Sequence, residues 1–153
     1  MPRLAGINLV GVLVSAIVIY FIGFLWYGLF FAEVYMNAQG IFINEARDAM
    51  NFLTASGIAT ERQEDANPMW MLGGFLVPVV LSFGLAWLMR RGSVTGLGAA
   101  ISFGLKLSLL IGIPLMAYDF FYTPWHSTGG LLVDLSHTVV TFVAGCAVLS
   151  KLD

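Results

Sequence analysis

At 153 residues the chain is the size of one domain, yet 59% of it is hydrophobic and only 10% is charged. A soluble domain carries about 25% charged residues, so a water-facing exterior is excluded and a bilayer-embedded one is implied. The net charge of −2 gives no support to a nucleic-acid partner or a polybasic lipid-binding patch.

Crossing the hydrocarbon takes about 20 apolar residues in a helix. The first candidate span, 4–31, is interrupted only by Asn8, Ser15 and small residues. It is far longer than the roughly 7–15 residues of a signal-peptide core, and no small-residue cleavage motif follows it, so it reads as a retained helix. The polar segment 32–67 comes next. Within it Asn44 can cap a short helix over Glu45–Ala55, with Gly57 ending it. Ala46, Ala49, Met50 and Leu53 share a face of that helix, which places it on the membrane surface or over the bundle. The second span, 68–89, opens on Asn67-Pro68, a cap followed by proline in the first turn, and ends at Arg90-Arg91. The third, 94–118, contains Lys106, and the fourth, 130–149, ends at Lys151. Pro78 and Pro114 lie inside spans and predict kinks. The expectation is an all-α, integral membrane four-helix bundle forming a single transmembrane domain, with a short amphipathic helix in its first extramembrane loop.

Four crossings put Arg3, Arg90, Arg91 and Lys151 on one face of the membrane. The other face receives the 32–67 loop, with six acids (Glu33, Glu45, Asp48, Glu61, Glu64, Asp65) against Arg47 and Arg62. Lys and Arg in short loops mark the cytoplasmic side. Both termini are therefore expected in the cytoplasm and the acidic loop outside, periplasmic or extracellular. The rings of Trp26, Tyr27, Trp70 and Trp125 collect at the outer ends as interface anchors, with Tyr118 and Tyr122 beside them.

The third span carries Gly96, Ala100, Gly104, Ser108 and Gly112 at successive i+4 positions. Such a ridge lets another helix approach closely where lipid gives no hydrophobic drive for association. Lys106 points about 200° away from it. Facing lipid would cost at least about 2.5 kcal/mol, so either this helix is packed on both sides or Lys106 faces a cavity or a subunit contact.

On the fourth span Asp134, His137, Thr138, Thr141 and Gly145 form a polar arc on an otherwise apolar helix. That arc faces the bundle interior or a water-filled space. Asp134 and His137, at i,i+3, are neighbours on one turn. Together with Lys106 they can form an interhelical packing network, line a proton or small-solute path, or offer His137 as axial ligand to a tetrapyrrole. The packing network is preferred, and no cofactor is expected. A lone histidine makes a poor metal site, so none is assigned, and His126 falls in a loop beside Trp125. Cys146, the sole cysteine, lies in an apolar run and reads as a buried, inert thiol. Paired carboxylates, a nucleophile–base pair and a phosphate loop are all missing from the pattern, so no enzyme activity is expected.

The segment Gly23-Phe24-Leu25-Trp26-Tyr27-Gly28 closing the first span, the short loop helix after it, and Asp134-Leu135-Ser136-His137 opening the last span resemble a bacterial family of small four-helix membrane proteins, domain of unknown function 1761. The resemblance covers nearly the whole chain and implies a membrane-embedded bundle without an assigned activity. Trp26, Tyr27, Asp134 and His137 match its recognisable positions. The outer loop is longer than the family's, and Lys106 has no counterpart. The expected function is that of a structural or accessory subunit that binds other membrane proteins or itself, as a homo-oligomer or within a larger complex in the lipid bilayer. The alternative is an oligomeric channel or transporter for protons or a small solute, built on Asp134, His137 and Lys106.

Overall fold

The computed structural model describes residues 2–43, 49–62, 68–122 and 127–152. The chain opens with a small hairpin, β1 (Arg3–Leu4) and β2 (Ile7–Asn8), closed by Ala5 and Gly6 at φ 51° and 79°. Two positive φ angles in a two-residue turn match the twist of paired strands. Asn8 then caps α1 (Leu9–Gly23), its Oδ1 accepting from the Val10 N–H at 3.1 Å. The helix therefore starts five residues later than the apolar stretch, because the cap side chain ends the hairpin.

Without a break α1 passes into a π-helical segment, Phe24–Phe30, where the Phe31 N–H donates to the Trp26 carbonyl five residues back at 2.9 Å. A short helix, α2 (Ala32–Ala38), follows. Then β3 (Ile41–Ile43), β4 (Ala49–Thr54) and β5 (Gly57–Arg62) form an antiparallel meander in the order β3-β4-β5.

This corrects the expectation of a helix over Glu45–Ala55. The loop's short helix lies at Ala32–Ala38, while Ala49–Thr54 is a strand paired from Thr54↔Gly57 to Ala49↔Arg62. The apparent helical face had only four members, two of them alanine. Gly57, taken as a helix end, sits at φ 121° in the hairpin turn, where the Thr54 hydroxyl donates to its carbonyl at 2.7 Å. Asn44 and Glu45–Asp48 lie outside the described residues.

The membrane part resumes with α3 (Pro68–Arg91), which carries Pro78. After a short turn come α4 (Leu97–Leu107), a second π-helical segment (Ser108–Gly112) and α5 (Ile113–Tyr122) in one continuous rod. Pro114 explains that widening: its ring would meet the carbonyl of residue 110 in an α-turn. The Ile113 N–H instead reaches back five residues to Ser108. The last helix is α6 (Thr128–Leu152).

Four helical rods, Leu9–Phe30, Met71–Arg91, Leu97–Tyr122 and Thr128–Leu152, are long and apolar enough to cross a membrane. The protein is a helical membrane bundle. α6 is its centre, packing against α1, α3, α4 and α5; between Gly130 and Ser150 only Leu132 is exposed. Large apolar side chains such as Val80, Leu110 and Phe121 point outward, as lipid contact allows. The core is tied by polar bonds as well. The Ser82 hydroxyl donates to Ser15 Oγ at 2.9 Å, joining α3 to α1, and both side chains are fully buried. At the end of the bundle holding both termini, Asn8 Nδ2 donates to the Leu152 carbonyl at 2.6 Å, and Arg90 donates to the Gly6 carbonyl.

Candidate functional site

The ridge residues of the third rod meet α6 at backbone distance. A Cβ on Gly104 would lie 2.7 Å from the Phe142 carbonyl oxygen and 2.9 Å from Val143 Cα, and one on Gly112 would lie 2.5 Å from Thr138 Cγ2. Ala100 and Ser108 are fully buried on the same face. Gly96 stands apart: it precedes α4 at φ 80°, with open space where a Cβ would project. It serves the turn, not the ridge.

Where α6 emerges from that contact, its polar arc is covered by the end of the first rod. The wide turns of the π-helical segment bring consecutive residues onto one neighbour, and they straddle α6. The Trp26 indole N–H donates to Ser136 Oγ at 3.0 Å on one flank; the Tyr27 hydroxyl donates to Asp134 Oδ1 at 2.9 Å on the other. These two residues, expected as interface anchors, thus spend their polar tips on α6. The Tyr27 ring stands 4.5 Å from the His137 imidazole and 4.3 Å from the ring of Tyr35 on α2. His137 Nε2 and the Thr141 hydroxyl are 3.3 Å apart, and Thr138 donates to the Asp134 carbonyl at 2.8 Å.

Tyr35 lies beyond the spanning rods. Burial, and then the Asp134 carboxyl, push its phenol up from the usual value. The flank is therefore a cluster of Tyr27, Tyr35, Asp134, His137 and Thr141, with Gly23 bare against the imidazole: a Cβ there would lie 3.6 Å from His137 Nε2. Beside it the side chains of α1, α3 and α6 leave a cavity of about 560 Å³.

Lys106 is not part of this cluster. Gly104 and Ser108 are buried against α6 while Lys106 between them is exposed, on the opposite side of the third rod. Of the remaining expected anchors, Trp125 and the side chain of Trp70 lie outside the described residues, as does His126. Among the described residues no three His, Cys, Asp or Glu side chains gather where a metal could sit. Ser136, Ser15, Ser82 and Tyr35 carry contacts that the residue pattern does not single out, since a serine in an apolar helix is common and its partner lies on another helix. Asp134 and His137 carry a signal of their own, because ionisable groups are costly there.

No curated protein and no solved structure matches the chain. A family model described as protein of unknown function (DUF1761) matches residues 10–150, which takes in all but the outermost residues of the four rods and both straddling aromatics. With nearly its whole length covered, the chain belongs to that family.

Proposed function

We propose that the protein is an accessory membrane subunit that binds a second copy of itself or another membrane protein through the outward face of its third rod. The observation that carries this reading is the exposure of Lys106. Among the described residues the rod is packed on one side only, so the lysine meets neither a second helix of its own chain nor the cavity beside α6. Left to lipid it would cost at least about 2.5 kcal/mol near the bilayer centre; a partner's polar group removes that cost. Ser102, one turn earlier and also exposed, continues the polar face.

The channel or transporter reading has less support. Within one chain Lys106 lies on the opposite side of the third rod from Asp134 and His137, and the Tyr27 hydroxyl engages the Asp134 carboxyl. Proteoliposome flux of protons or a small solute that falls in Asp134→Asn and His137→Ala would reinstate it. We read the protein as non-enzymatic and without a cofactor. We place it in a bacterial inner membrane with both termini cytoplasmic, by the charge bias between its two faces.

Disulfide trapping tests the assembly. Cys146 is buried, so Ser102→Cys oxidised in native membranes gives a clean report. A cross-linked species containing this chain is expected, and Leu132→Cys on α6 should give none. Lys106→Leu separates the alternatives: loss of the assembly supports a polar contact at the lysine. An unchanged lone protomer, made more stable by the substitution, overturns the reading.

A further inference from the structure

The cavity beside the α6 flank opens sideways between α1 and α3, and its rim carries the exposed residues Tyr20, Phe24 and Val77. Its depth lies midway along both helices, at Ile19 and Pro78. A molecule reaching it comes from the lipid and not from water. At about 560 Å³ it falls within the range of small-molecule sites, roughly 300–1,000 Å³.

The space exists because glycine faces it from two helices: Gly23 leaves the imidazole uncovered, and a Cβ on Gly74 would lie only 3.8 Å from the Tyr20 ring. Its polar atoms are few and convergent. His137 and Thr141 present a nitrogen and a hydroxyl 3.3 Å apart on the α6 wall. Across from them, Pro78 withholds the N–H that the Gly74 carbonyl would receive in an ordinary helical turn. Among the described residues no Lys, Arg, Asp or Glu lines the cavity, so an ionic ligand would lose its hydration uncompensated. The rings of Tyr20, Phe24, Tyr27 and His137 favour a flat body.

We propose that this lateral cavity binds a neutral, membrane-soluble molecule with a carbonyl- or hydroxyl-bearing ring, the ring's polar edge meeting His137 and Thr141. The site is separate from the Lys106 face and stands whether or not the chain assembles.

Duroquinone, with durene as the same ring lacking its oxygens, tests the inference on the full chain in nanodiscs. Duroquinone should bind saturably and shift the His137 ring resonances, with durene at least tenfold weaker. Gly23→Leu and Gly74→Leu, filling the cavity from two different helices, should each weaken duroquinone at least tenfold. Gly73→Leu, on the neighbouring open surface, should leave it unchanged. Thr141→Val should narrow the gap between quinone and hydrocarbon. Equal affinity for the two probes in the wild-type protein, or partition without saturation, overturns the proposal, and neither readout depends on a variant folding. Undiminished quinone binding in both filled variants overturns it equally.

Discussion

Tyr27 is the residue on which the far end of the first rod converges, because its hydroxyl and its ring serve different neighbours. The hydroxyl bonds Asp134 while the ring packs between His137 and Tyr35. Tyr27→Phe keeps the ring and deletes the bond. Interhelical hydrogen bonds in membranes contribute about 0.6 kcal/mol on average and about 1.7 at most. The variant should therefore unfold more easily by about 0.6–1.7 kcal/mol in a reversible detergent titration. In a double-mutant cycle with Asp134→Leu most of that loss should vanish; an additive cycle would show that the contact contributes nothing. Tyr35 gives a pH-dependent counterpart outside the spans. Its folded pKa is raised by burial and by Asp134, so its contribution to stability is whole below the ordinary phenol range, about 10. That contribution is lost as pH rises through the folded value. Tyrosinate absorbance should contain a late-titrating component that Tyr35→Phe removes, and the variant's stability should fall less steeply at alkaline pH.

Among the helices, the contact between α4 and α6 is the tightest, and glycine alone permits it. Adding a methyl at Gly104 drives it into the backbone of Phe142 and Val143, which cannot rotate away as a side chain would. Gly104→Ala should destabilise the fold by about 1–3 kcal/mol, the usual cost of overpacking. Gly84→Ala, with open space at its Cβ, should be neutral or slightly stabilising. Equal effects at the two positions would mean that helix propensity and not packing sets the cost.

The four rods could be read from the sequence because length and hydropathy are properties of each segment alone. The π-helical turns could not: they depend on where a hydrogen bond slips by one residue, and only Pro114 left a mark of it. The meander at 41–62 was missed for a related reason, since strand pairing is decided by partners and by the turn at Ala55–Gly57, and not by the face of a single segment. The pairs Trp26–Ser136 and Tyr27–Asp134 join residues 110 and 107 positions apart, and no spacing rule supplies the register between two helices. Lys106 is the reverse case: its remoteness from the ridge followed from helical geometry, but what it faces required the packing of the third rod.

Across the whole molecule, the two ends of the chain are held together by Asn8 on Leu152, and the end of α3 joins them through Arg90 on Gly6, so one face of the bundle gathers Arg3, Arg90, Arg91 and Lys151. The meander belongs to the other face, and the segment 32–67 that contains it carries six acids against two bases in the sequence. The two sides therefore differ in charge, and the side rich in Arg and Lys should stay in the cytoplasm. A single buried cysteine makes this accessible to experiment, because Cys146 gives no background labelling while the bundle is folded. Ser56→Cys in the exposed β4–β5 turn and Leu4→Cys, at the exposed strand β1, place a thiol on each side. In intact cells a membrane-impermeant maleimide should label Ser56→Cys at once, and Leu4→Cys only after permeabilisation. The opposite pattern would invert the bundle. Labelling of both in intact cells would mean that the population inserts in two orientations, as a bias of four bases against two could allow if the paired termini did not commit the chain to one.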